Sequence, residues 1–134
     1  MFIQLDQSSD IPLYQQLRNQ IVAAIATGEL APGDGLPSVR MLGRDLGINL
    51  HTVNKAYALL RDEGYLVMRG RAGASVATPP GEDAALKRLS DGLALLVAEF
   101  KAAGGARQAF EEAVRTELDT AYGAVAPKGD EHDE

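Results

Sequence analysis

Residues 38–71 concentrate six cations, Arg40, Arg44, Lys55, Arg61, Arg69 and Arg71, against three carboxylates, Asp45, Asp62 and Glu63. Guanidinium and ammonium groups at this density suit a polyanion, because each can donate a charge-assisted hydrogen bond to a phosphate oxygen. Within the same stretch, Leu50, His51, Thr52, Asn54 and Lys55 combine uncharged donors and acceptors with one apolar side chain and one cation. Such a set can meet the polar edges and methyl groups of bases. No competing chemistry is evident. Ser38 has no histidine near it in the sequence and stands where it can cap a helix, so no nucleophile is paired with a base. His51 and His132 are far apart, and His132 lies among Asp130, Glu131, Asp133 and Glu134, which read as a solvated acidic tail. The glycines at 33 and 35 lead into Pro37 and not into a phosphate loop. The expectation is a chain without catalytic residues, metal or cofactor.

The elements that must position these side chains follow from periodicity and breakers. Leu13, Leu17, Ile21 and Ile25 recur every four residues, which predicts a first helix capped by Asp10, with Pro12 in its first turn and Gly28 as its stop. Residues 30–37 are dense in turn formers and are expected to be neither helix nor strand, with Leu30 and Leu36 as anchors. Ser38 is the expected cap of a short helix carrying Val39, Leu42 and Leu46 and closed by Gly47. Asn49 caps the next, which turns Val53, Ala56, Tyr57 and Leu60 inward and stops at Gly64. Two short helices around a tight glycine turn form a helix-turn-helix. Residues 65–68 and 74–78 are β-prone about the turn Gly70-Arg71-Ala72-Gly73, which predicts a hairpin, or wing.

Pro79-Pro80-Gly81 breaks regular structure, so the expected organisation is a winged helix-turn-helix domain over 1–78 and a linker over 79–82. Beyond it, Leu86, Leu89, Leu93, Leu96 and Phe100 follow seam spacing, and Phe110, Val114, Leu118 and Ala121 form a second stripe after Gly104-Gly105. A two-helix hairpin over 83–122 is predicted, with 123–134 as an acidic tail expected to be disordered. Two helices alone leave apolar faces uncovered, so the hairpin is expected to dimerise through Leu86, Leu89, Leu93, Leu96, Phe100, Phe110, Val114 and Leu118. The fold class is therefore mainly α with a small β-hairpin.

Composition limits the alternatives. The chain has 134 residues, no cysteine and a net charge of -6. The absence of cysteine suits a reducing cytoplasm. Neither a secretory pattern at residues 1–6 nor an apolar run of membrane-spanning length is present, so a cytoplasmic protein with no membrane partner is expected. The acidic total is uneven: residues 1–78 are neutral, and residues 79–134 carry all of the excess. A net positive balance thus falls on residues 38–71, the region that holds the helix-turn-helix.

These pieces resemble the GntR family of transcriptional regulators. The resemblance runs through Pro12-Leu13-Tyr14-Gln15-Gln16-Leu17, Gly28-Glu29-Leu30-Ala31-Pro32-Gly33-Asp34, Leu36-Pro37-Ser38-Val39-Arg40, Thr52-Val53-Asn54-Lys55-Ala56-Tyr57 and Glu63-Gly64-Tyr65. The stretch from Asn49 to Tyr57 and the short two-helix extension are most similar to the YtrA subfamily. Three places depart from the family pattern: Asn49-Leu50-His51-Thr52 replaces Asn-Pro-Asn-Thr, Arg71-Ala72-Gly73-Ala74-Ser75-Val76 lacks one glycine and the aromatic of the wing, and the C-terminal helices match by length and not by motif.

The resemblance implies a regulator, usually a repressor, that binds a double-stranded DNA operator with inverted-repeat symmetry as a homodimer. A recognition helix reads DNA from its N-terminal turns, which assigns Leu50, His51, Thr52, Asn54 and Lys55 to that task. The resemblance adds Arg40 as a DNA contact, and Arg44 lies one turn further along the same helix. Arg69, Gly70 and Arg71 form the wing tip, where long cations reach phosphates or the minor groove. A protein–protein docking module built on a winged helix is the alternative, favoured by the acidic C-terminal half. No small-molecule effector can be named from the sequence.

Overall fold

The computed structural model describes residues 2–124, which form two compact units, one ending at Pro80 and one beginning at Gly81. The tail expected over 123–134 lies, from residue 125 onward, outside the described residues.

In the first unit, α1 spans Leu13–Ala26, β1 Gly35–Leu36, α2 Val39–Leu46, α3 Leu50–Asp62, β2 Leu66–Met68 and β3 Ala74–Val76. Leu17, Ile21, Val53, Ala56, Tyr57 and Leu60 are removed from solvent completely. Leu36, Leu42, Leu66, Ala74 and Val76 complete the same cluster. Helix and sheet therefore share one core, and the inward faces of α1 and α3 agree with the helical spacing of their apolar residues.

The start of α1 differs from the sequence expectation. Pro12, not Asp10, is the N-cap residue, and no side chain caps the helix. Proline disfavours helical backbone in the residue before it, so Ile11 cannot join the first turn and Asp10 is left too far upstream. The carbonyl of Pro12 accepts from the amides of both Gln15 and Gln16 at 3.0 Å. The segment before it is fastened instead by the Gln16 side chain. Its Oε1 accepts from the Asp6 amide at 2.8 Å, and its Nε2 donates to the carbonyls of Asp6 and Ile11.

A second correction concerns residues 30–37. Gly35–Leu36 is a strand, paired antiparallel with Ser75 and Ala74, so the sheet has the order β1-β3-β2 and not two strands. The Val76 amide donates to the Asp34 carbonyl and the Gly33 amide to the Val76 carbonyl, both at 2.8 Å. Turn-forming composition failed as a guide because a two-residue edge strand is selected by its partner's free backbone groups, not by local propensity. Leu36 contributes the apolar anchor foreseen for it.

In the second unit, α4 spans Glu82–Ala102 and α5 Arg107–Tyr122. Their junction is sealed by Phe100 and Phe110, whose ring centroids lie 5.8 Å apart in a tilted arrangement. Gly105 lies directly against the Phe100 ring, and a Cβ at this position would overlap it. Neither helix buries any residue among those described.

Candidate nucleic-acid interface

The helix-turn-helix is held by local caps that leave one face free. Ser38 Oγ accepts from the Met41 amide at 3.1 Å and starts α2. Gly47, at φ +68°, ends it in the left-handed conformation that a Cβ would resist. The turn folds back closely enough that a Cβ on Gly43 would meet the Ile48 carbonyl at 3.2 Å. Asn49 Oδ1 then accepts from the His51 amide at 2.8 Å and starts α3.

One face of α3 carries the fully buried Val53, Ala56, Tyr57 and Leu60. Its first turns expose Leu50, His51, Asn54 and Lys55, with Thr52 half-buried beside them. Tyr57 links this helix to α2 by donating its hydroxyl to the Pro37 carbonyl at 2.8 Å, immediately before the Ser38 cap. Burial pushes the Tyr57 phenol well above its ordinary ionisation range, so it stays a donor.

Arg40 and Arg44 are exposed on α2. Glu63 is bound by Arg18, whose Nε lies 2.9 Å from its carboxylate. Neither Arg40 nor Arg44 is ion-paired with Asp45 among the described residues.

The wing closes without the aromatic that its sequence lacks. The Arg69 amide donates to the Gly73 carbonyl at 2.7 Å, and a single 3₁₀ turn over Gly70–Ala72 connects β2 to β3. Gly73 has φ +90°, and a Cβ there would lie 2.9 Å from the Leu36 carbonyl, so β1 itself demands this glycine. Arg69 Nε donates to Ser75 Oγ at 3.1 Å, which anchors its stem across the hairpin. Arg71, exposed at the tip, has no such anchor among the described residues.

The expected contacts thus occupy the first turns of α3, the exposed side of α2 and the wing turn, all within the first unit. Sequence reasoning missed Tyr14. Its ring on α1 faces the Lys55 ammonium at 4.1 Å, and Pro12, Leu13, Tyr14, His51, Thr52 and Lys55 line a shared groove. Tyr14 adjoins the apolar repeat of α1, and nothing in its spacing points to Lys55, far along the chain. No group of three or more metal-ligating side chains occurs among the described residues. No helix of the described residues is long and apolar enough to cross a membrane.

Comparison with known proteins agrees with this geometry. Residues 13–76 match the bacterial regulatory proteins of the gntR family. The HTH-type transcriptional regulator Rv1152 of Mycobacterium tuberculosis is 35% identical over 85 residues, covering 63% of this chain and 70% of that protein. The HTH-type transcriptional repressor YtrA of Bacillus subtilis is 43% identical over 70 residues, or 52% of this chain and 54% of YtrA. Among solved structures, YtrA of Sulfolobus acidocaldarius, a GntR-family transcription factor, superposes with a TM-score of 0.57 at 40% identity, over 70% of this chain and 99% of that one. The chain spans only 18% of the length of another curated regulator to which it is 41% identical. The winged helix-turn-helix and these relationships place the chain in the gntR family of bacterial regulatory proteins, as a YtrA-like member.

Proposed function

We propose that the chain is a cytoplasmic, non-enzymatic repressor that binds an inverted-repeat operator as a homodimer. The observation that carries this reading is the division of α3, in which four fully buried side chains fix one face while its first turns expose Leu50, His51, Asn54 and Lys55, with Thr52 half-buried beside them. That arrangement offers a rigid, chemically mixed edge to the major groove. His51 and Asn54 meet base edges, Thr52 meets a phosphate or a thymine methyl, and Lys55 meets phosphate or guanine. Arg40 and Arg44 on α2 and Arg69, Gly70 and Arg71 on the wing hold the flanking backbone. The repressor assignment follows the name given to YtrA of B. subtilis.

Dimerisation rests on the second unit, where Leu86, Leu89, Leu96, Phe100, Val114 and Leu118 are exposed and Leu93 and Phe110 are half-buried. A second copy of the hairpin would cover these stripes, and two-fold symmetry would present the heads to half-sites about one helical turn apart.

The test is binding of the purified chain to the promoter DNA upstream of its own gene, against a scrambled duplex of equal length, across salt and with excess competitor. Selective binding that weakens with salt is the expected result. Binding of neither duplex at low salt would overturn the reading in favour of a docking module. Replacing Arg40 or Arg71 by Ala should weaken all duplexes alike and reduce the salt slope by about one unit, whereas Asn54→Ala should relax preference at one base position.

A further inference from the structure

We propose that Tyr14 is a positioning residue for DNA binding: its ring holds the Lys55 ammonium at the mouth of the groove between α1 and α3, ready to receive a phosphate. The proposal rests on the reading of Lys55 as a phosphate contact.

A lysine stem has many rotamers, and an exposed one must be ordered when it meets an anion. Here the ammonium already lies 4.1 Å from the Tyr14 ring centroid. The ring is itself fixed, because Tyr14 is half-buried and packs against the core that α1 shares with α3. The first turn of α1 contains no acidic residue that would compete for the cation. Lys55 also makes no hydrogen bond or ion pair among the described residues, so its donors are unspent. An aromatic face attracts the charge without accepting a conventional hydrogen bond, which leaves the outward N–H groups available to phosphate oxygens. His51 and Thr52 line the same groove, so the held cation stands beside two further α3 side chains assigned to DNA. A carboxylate at position 14 would fix the lysine equally well but would cancel its charge.

The experiment uses the full chain and a duplex that it enriches from a randomised library. Affinity and salt slope are measured for the unaltered chain, Tyr14→Leu, Tyr14→Phe, Lys55→Ala and the Tyr14→Leu/Lys55→Ala double variant. Lys55→Ala should weaken binding and lower the slope by about one unit. Tyr14→Leu should weaken binding about two- to fivefold, and Tyr14→Phe, which restores the ring, should recover that loss. In the Lys55→Ala background, Tyr14→Leu should change nothing further. In the free protein, the Lys55 ε-methylene proton signals should be shifted upfield by the ring in the unaltered chain and Tyr14→Phe, and not in Tyr14→Leu.

An equal loss from Tyr14→Leu with and without Lys55 would overturn the proposal, because the effect would then be structural. Failure of Tyr14→Phe to recover binding would overturn it in favour of the hydroxyl. Tighter binding by Tyr14→Leu would overturn it by showing that the ring withholds the lysine. A neutral Lys55→Ala would remove the phosphate contact on which it rests, and failure to enrich any duplex would remove the DNA-binding reading altogether.

Discussion

The two units of this chain treat apolar side chains in opposite ways. The first seals Leu17, Ile21, Val53, Ala56, Tyr57 and Leu60 from solvent and places its polar groups on caps, a wing and one helix edge. The second has a comparable share of leucine and phenylalanine along α4 and α5, yet leaves Leu86, Leu95 and Leu96 more than half exposed and buries nothing among its described residues. A core of the first kind stabilises its unit from within. An apolar stripe of the second kind acquires comparable value only when another surface covers it. The first unit is therefore a self-sufficient object, whereas the helical unit leaves apolar stripes exposed, which the proposed dimer would cover.

The largest expected effect would break this comparison at the proposed interface. Leu93 is half-buried near the middle of α4, and Leu93→Glu would place an unpaired charge into a symmetric contact twice. Sedimentation velocity should show a dimer for the unaltered chain and a monomer for the variant, with the dissociation constant raised more than about a hundredfold, as expected for burying a charge at several kcal/mol. A variant that remained dimeric would move the interface away from this seam.

A matched pair of truncations sharpens the contrast. Leu60→Ala empties a fully buried site and should lower the stability of the head by about 2–5 kcal/mol in urea unfolding. Leu86→Ala, at a residue 55% exposed, should change stability by only about 0.5 kcal/mol at dilutions where the chain is monomeric. Concentration should matter for the second variant and not for the first. Equal losses in dilute solution would mean that the helical unit has an internal core after all.

What could be read from the sequence divides along the same physical line. Ser38, Gly47 and Asn49 were legible because a cap is a local device, satisfied within three residues of its own position. Val53, Ala56, Tyr57 and Leu60 were legible as one helix face, and with them the opposite face that carries Leu50, His51, Thr52, Asn54 and Lys55. The strand Gly35–Leu36 was not, since only β3 makes it a strand. The cap of α1 was misplaced because Asp10 is chemically suited to the task and Pro12 controls the geometry. Arg69 and Lys55 were legible as cations, but their anchors Ser75 and Tyr14 were not; the first lies across the wing hairpin and the second on another helix.

The smallest expected effect tests the tie between α3 and the start of α2 inside the head. Tyr57→Phe keeps the ring in the core but removes the hydroxyl that donates to the Pro37 carbonyl, so near neutral pH it should cost about 1 kcal/mol. Its pH dependence has a definite sign. Burial raises the phenol far above its ordinary value of 10.0 in the folded chain, while the unfolded phenol ionises near that value. Tyr57 therefore contributes its full stabilisation below about pH 10, and the contribution falls above that, where only the unfolded state loses the proton, until the folded phenol ionises as well. The advantage of the unaltered chain over Tyr57→Phe should be constant between pH 7 and 9 and should shrink from about pH 10 upward, by about 1.4 kcal/mol per further pH unit. Urea unfolding of both proteins at pH 7, 9 and 10.5 measures the difference, with the other tyrosines common to the pair. A gap that stayed constant through pH 10.5 would mean that the phenol ionises as readily in the folded head as in the unfolded chain, and that the tie to Pro37 is open to solvent.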